Sequence, residues 1–381
     1  MEENIMKLKK LTALTLALSL ALSLTACGGG NDSTSGGGAS NSSSGGSNGG
    51  ASTATTTEIV DDTTGLKIPC EPIELSMGCS GTVEGTIMGD ALDKYLAELK
   101  EWTDGNFVIN FYPSGQLGGD VELIEGAQMG SVDIFNGAPT SQVGLIPELA
   151  VLDISGLYDN VDDCNSVLNG GFTDLIEPYY NNAGLHVLGM FATDFRITSS
   201  NDPINSMDDL KGLNIRTQEN KYHMEFWRQL GANPTPLAFG ELYIALQQHM
   251  MDAQENPWAS YVGAKLCEVQ NYMTFTNHIP FVSTYIMNNA KYQSLSDAQK
   301  QALNQFIYSV RKYQLEGTVE DDARMQKLCE DDYNLVCSEV PEDVKAAYPA
   351  ATQAVVDLMK KDIDPTFVDN YLEAVKAVTG G

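Results

Sequence analysis

Apolar and polar positions along the chain follow two alternating periods, and these set the expected elements. Ile73–Met77, Phe107–Phe111, Val132–Phe135 and Leu185–Phe191 are short apolar runs with the length and composition of buried strands. Between the first two, Leu92, Tyr95, Leu96, Leu99 and Trp102 recur at helical spacing, and Gly105 suits a chain just past a helix end. Strand, helix and strand then make a βαβ unit. A second series starts near Arg196, with Leu213–Arg216 as strand, Lys221–Leu230 and Gly240–His249 as helices, and Asp252–Glu255 as strand. Towards the C-terminus, Ser296-Asp-Ala-Gln299 has the form of a capping box. Leu303, Phe306, Ile307, Val310 and Tyr313 continue one apolar face from it, and no proline interrupts Asp297 to Tyr333. The pattern predicts either one long helix bracing two lobes or a break at Gly317. Strands alternating with helices predict an α/β fold. The ordered part, about residues 58–381, exceeds the size at which one core usually suffices, so two lobes are expected.

The N-terminus follows another pattern. Lys7, Lys9 and Lys10 precede an uncharged stretch from Leu11 to Leu24, and Leu24-Thr25-Ala26-Cys27 follows. A bilayer crossing takes roughly 20 apolar residues, so this run reads as a signal peptide over residues 1–26. Glu2 and Glu3 sit oddly in a basic leader, which makes Met6 an alternative start. Small residues followed at once by cysteine resemble a bacterial lipobox. That resemblance implies that Cys27 carries lipid and anchors the chain to the membrane from outside the cytoplasm. From Gly28 to Thr57 there is no aromatic or large aliphatic residue and one charge, Asp32. Such a segment cannot offset its ordering entropy, and residues 27–57 are expected to be a tether reaching about 30 Å.

Charge narrows the partners. The chain has 22 basic and 51 acidic residues, net −29. Cleavage after residue 26 removes three lysines and two glutamates, leaving 19 against 49, or −30. Phosphate binding needs a basic surface, so nucleic acid is excluded as a partner. The same charge repels small anions, and an anion site must rely on local arginine. Six of the seven cysteines remain once Cys27 is lipidated. Cys70 with Cys79 and Cys329 with Cys337 are near enough in sequence to pair, and free thiols are an equal alternative. The four histidines, at 186, 223, 249 and 278, show no zinc-site spacing and read as packing or surface residues. No metal, cofactor or catalytic constellation is expected. Gly78-Cys79-Ser80-Gly81 lacks the nucleophile-elbow register.

Three ordered stretches are more specific. They are Tyr112-Pro-Ser-Gly-Gln-Leu-Gly-Gly-Asp120, then Asp209-Leu-Lys-Gly-Leu-Asn-Ile-Arg216, then Leu230 to Gln247 continuing through Asp252-Ala-Gln-Glu-Asn-Pro257 and Glu268-Val-Gln270. Over about residues 71–340 the sequence resembles the extracytoplasmic solute-binding subunits of TRAP (tripartite ATP-independent periplasmic) transporters, of the C4-dicarboxylate-binding type. The resemblance implies a two-lobed periplasmic-binding-protein-like fold with hinge strands and a long bracing helix. It places lobe I at 69–194 and 283–320, and lobe II at 195–282 and 321–376. It also implies a small carboxylate solute and the TRAP permease subunits as partners, and no enzymatic activity. A receptor feeding an ABC importer or a sensor kinase shares this fold, and a surface-anchored hydrolase is a rival from another class.

Carried over residue by residue, the resemblance makes Arg216 the grip on the ligand carboxylate. A guanidinium fork matches two carboxylate oxygens, which an ammonium does not. It makes Arg196 a second contact or an ordering residue of the hinge, Phe239 a surface for the ligand's carbon skeleton, and Asn256 a hydrogen-bonding partner. Gln254 is a further candidate. Asp120 and Gln116 fall in a loop facing the cleft and read more as loop-organising. Glu219 stands where uncharged residues are common in the family, and is expected either to hold a ligand amine or hydroxyl or to face water. Trp258 adds aromatic surface beside Asn256. The segment Gly78–Glu84 departs from the family pattern, so no first-lobe contacts are carried over. These departures favour a monocarboxylate or substituted acid over a plain C4-dicarboxylate.

Overall fold

A computed structural model describes residues 59–380. The expected leader, lipidation site Cys27 and the whole of the tether lie outside the described residues. Eleven strands occur within them, in chain order β1 (Ile73–Gly78), β2 (Phe107–Tyr112), β3 (Ile134–Gly137), β4 (Leu185–Phe195), β5 (Ile197–Ser200), β6 (Asn214–Thr217), β7 (Asn233–Pro236), β8 (Ala253–Asn256), β9 (Tyr272–Phe275), β10 (Pro280–Asn288) and β11 (Val336–Glu339). They form two mixed sheets, ordered β2-β1-β3-β10-β4 and β11-β9-β5-β8-β6-β7, with helices packed on them. The α/β expectation holds, with one sheet in each of two lobes.

The βαβ unit forms as its pattern requires. Thr86 caps the helix Ile87–Trp102 by accepting from the Gly89 amide, and Leu92, Tyr95, Leu99 and Trp102 are buried. β1 and β2 then pair in parallel from Ile73↔Phe107 to Gly78↔Tyr112. The segment predicted as a helix over Gly240–His249 is a 3-10 turn at Phe239–Glu241 followed by a short helix, Leu242–Gln247.

The helix Asp297–Tyr333 runs unbroken for 37 residues. Ser296 Oγ accepts from the Gln299 amide at 3.3 Å, and Gln299 Oε1 accepts from the Ser296 amide at 2.9 Å. Gly317 does not break it. A Cβ there would lie 2.6 Å from Ile87 Cδ1, so glycine leaves room for the Ile87 side chain where the helix Ile87–Trp102 crosses. Packing outweighs the propensity cost of about 1 kcal/mol. Leu303, Phe306 and Val310 are fully buried under the first sheet, each contributing roughly 1.5–3 kcal/mol.

The chain passes from the first sheet to the second between β4 and β5, at Arg196, and returns between β9 and β10. The Arg196 amide donates to the Ile279 carbonyl at 2.9 Å, so the two crossings lie side by side. At the C-terminus, the helix Glu342–Asp362 packs on Lys221–Gln229, and Pro365–Thr379 packs on Val161–Val167. Among the described residues no helix is long and apolar enough to cross a membrane.

Candidate functional site

A cleft opens beside the two crossings, with a volume of about 930 Å³ including its mouth. Its wall combines the ends of β3, β4 and β10, the segment Cys79–Val83, Asn256 with Pro257, and one face of the long helix. That face presents Gln314, Thr318 and Asp322, spaced four residues apart. A second space of about 1260 Å³ shares Asp120, Gln218 and Phe239 with the first and is lined by Arg216 and Glu219.

Arg216 lies near the end of β6, where parallel pairing sets it between Thr235 of β7 and Gln254 of β8. It is 1 % exposed. Nε and Nη2 both donate to the Leu237 carbonyl, at 2.9 and 2.6 Å. Nη1 is buried with no partner. Burial, only partly countered by Glu255 and other acids, lowers its pKa to about 10, so it stays charged at neutral pH. The half-buried Phe239 ring lies 5.9 Å from the guanidinium carbon. Asp120, at the start of the helix Asp120–Met129, lines both spaces with one carboxylate oxygen buried and unpaired. Burial raises its pKa against the pull of Ser80 and Arg216.

Arg196 is already engaged. Its Nε donates to Glu255 Oε2, and its Nη2 donates to Glu255 Oε1 at 3.0 Å, to the Glu255 carbonyl at 2.6 Å and to Asn256 Oδ1 at 3.0 Å. It also stacks 5.9 Å from the Phe281 ring. Asn256 lines the cleft with its other end tied down, Nδ2 donating to Gln254 Oε1 at 2.6 Å.

Gln254 and Trp258 do not line either space. Gln254 is wholly buried, holding Asn256 on one side and donating to Ser199 Oγ at 2.8 Å on the other. Trp258 turns inward against Tyr261 and Phe275 in the core of the second lobe. Glu219 is exposed at the edge of the second space, and Gln116 lines neither.

Sequence reasoning missed two groupings. His223 and His278, read there as unrelated, converge on Glu255, each Nε2 lying 3.4 Å from Glu255 Oε2 with all three side chains fully buried. Their ligand atoms lie within 4.8 Å of one another, yet Arg196 already neutralises the carboxylate that a cation would need. Burial pushes His278 down to about 4. Burial also pushes Glu255 up, but Arg196 and the histidines outweigh it and hold the carboxyl well below the usual glutamate range. The second grouping is Asp194 on β4 with Asp322 on the long helix, both facing the cleft. The six described cysteines are all free.

Two α/β lobes joined by paired crossing strands, with a cleft beside the crossings, define a solute-binding protein of the periplasmic type. The chain belongs to the bacterial extracellular solute-binding protein family 7, DctP, whose profile matches residues 80–362. These are solute receptors of TRAP transporters, which work outside the cytoplasm with a membrane permease. The chain is 29% identical over 274 residues to a 2,3-diketo-L-gulonate-binding periplasmic protein of Escherichia coli, covering 72% of this chain and 83% of that one. It is also 29% identical to a sialic acid-binding periplasmic protein of Vibrio cholerae, with 72% and 83% covered. A sugar acid binding protein from Advenella mimigardefordensis, solved with galactonate, superposes with a TM-score of 0.76 at 25% identity, covering 81% of this chain and 99% of that one.

Proposed function

We propose that this chain is a lipid-anchored receptor that captures a small hydroxylated organic acid and presents it to a TRAP permease, with no chemistry of its own. The observation that carries the reading is Arg216 Nη1, buried, charged and unpartnered. A buried N–H left without an acceptor costs about 1–3 kcal/mol, and a ligand carboxylate removes that cost. The anchoring of Nε and Nη2 on one carbonyl fixes the fork before the ligand arrives. Phe239 packs against the carbon skeleton, and Asn256 and Asp120 meet hydroxyl groups. Arg196 orders the crossing strands and touches the ligand only at the face it presents to the cleft. Diketogulonate, sialic acid and galactonate, bound by the relatives and the neighbour, all carry one carboxylate and several oxygens, which supports an acid of that class.

Closure of the lobes about the crossings would exclude water and strengthen the Arg216 contact as the local dielectric falls. Cys27 supplies the anchor and residues 28–57 the reach. Calorimetry and thermal-shift screening of the mature protein against aldonic, uronic and keto-acid panels test the reading. Micromolar binding of at least one acid, absent for its amide, is expected. Equal binding of acid and amide would remove Arg216 from the site.

A further inference from the structure

The charges around the cleft do not balance for a simple anion. Asp120, Asp194 and Asp322 line the main space, and the one cation lining it is Arg196. Arg196 is spent on Glu255. Arg216, at the far side of Asp120, Gln218 and Phe239, answers one carboxylate and no more. With Arg216 kept for the ligand's carboxylate, Asp120, Asp194 and Asp322 are all left without a cation of their own, and Asp120 alone lies beside Arg216.

Asp194 and Asp322 come from different parts of the chain, the end of β4 and the third position of the Gln314–Thr318–Asp322 face. Among the described residues neither forms an ion pair with a lysine, arginine or histidine. The Asp194 carboxylate accepts, among the described residues, one side-chain hydrogen bond, a long one of 3.3 Å from Thr193 Oγ1. Burial first, and then the neighbouring Asp322 charge, raises Asp194 well above the usual range, while burial and Asp321 push Asp322 up to about 7.

A hydroxyl donates one hydrogen bond and no charge. An ammonium offers three donors and a full positive charge, enough to answer two carboxylates at once. Arg216, its Nη1 buried and unpartnered, lines the adjoining space, so opposite charges face the two spaces on either side of Asp120, Gln218 and Phe239. We propose that the acid this receptor captures also carries a protonated amine, held by Asp194 and Asp322 while Arg216 holds the carboxylate. The proposal rests on the carboxylate reading above and narrows it to amino-bearing acids. A neutral zwitterion also escapes the repulsion that a net charge of −29 imposes on a plain anion.

Matched pairs test it on the full mature chain. Calorimetry compares 2-amino-2-deoxygluconate with gluconate, and ω-amino acids of four to six carbons with the corresponding ω-hydroxy acids. At pH 7.5 at least one amino acid of a pair is expected to bind tenfold or more tighter than its hydroxy partner. Asp194→Asn and Asp322→Asn, both near-isosteric, should each shrink that ratio at least fivefold. Hydroxy acids binding as tightly as their amino partners, or a ratio unmoved in both variants, would overturn the amine assignment and leave carboxylate capture standing. Failure of every acid in both series would overturn both. A calcium- or sodium-induced rise in Tm, lost in Asp322→Asn, would replace the amine with a metal ion.

Discussion

Replacing Arg216 by lysine isolates the geometry of the guanidinium from its charge. In the native site two of the five N–H groups converge on the Leu237 carbonyl and leave Nη1 buried and unpaired. An ammonium at the end of a flexible stem keeps the charge but cannot hold the carbonyl and a bidentate carboxylate in one plane. At least one charge-assisted hydrogen bond is lost, about 1.5–3 kcal/mol. At 1.4 kcal/mol per factor of ten, that is a loss of roughly ten- to 150-fold in affinity. The assay is titration calorimetry with the best acid from the screen, alongside the melting temperature of the ligand-free variant. Lysine retains a donor for Leu237, so the ligand-free Tm should stay within a few degrees. The ligand-induced rise in Tm should shrink in step with affinity. Affinity within threefold of wild type, in a variant that melts normally, would refute the fork as the carboxylate grip.

Other expectations follow from the buried network and the leader. Glu255→Gln leaves Arg196 without a countercharge in a dry site, and should cost about 3 kcal/mol and lower Tm by roughly 5 °C or more; an unchanged calorimetric scan would contradict the pairing. His278 is held neutral when folded, with a pKa of about 4, but takes a proton near 6.5 when unfolded. Its share of stability is therefore intact above pH 6.5 and falls by about 3 kcal/mol as pH drops to 4. Denaturant titrations of wild type and His278→Gln should differ by that slope, and parallel profiles would count against it. Cys27→Ser should move the protein from the membrane fraction to the soluble extracytoplasmic fraction, and continued membrane retention would rule out lipid on that residue.

Much of the scaffold was legible because its signals are local. The βαβ unit rests on apolar spacing between Ile73 and Phe111, and the long helix on a capping box at Ser296 and an uninterrupted face. The site was partly legible through motif positions. Arg216, Phe239, Asn256 and Asp120 all line the cleft or the space beside it. Gln254 shares a strand face with Asn256 but lies two residues deeper, where Ser199 of β5 covers it. Trp258 opens a helix whose inward side is the lobe core, and a bulky aromatic gains more there than in a polar cleft. Motif adjacency along the chain carries no information about either choice.

The sequence by itself determined the periodicity of the elements, the capped start of the long helix and the excess of negative charge, since each depends only on residues a few positions apart or on a sum over all of them; that the helix continues through Gly317 was decided by packing. Tertiary structure decided which charges answer one another. It spent Arg196 on Glu255, gathered His223 and His278 around the same carboxylate, left Arg216 Nη1 unpartnered, and brought Asp194 and Asp322 to one cleft. Those outcomes turn on contacts of a few ångströms between distant segments, and an electrostatic interaction that falls with distance and grows with burial exists only once the fold has fixed both.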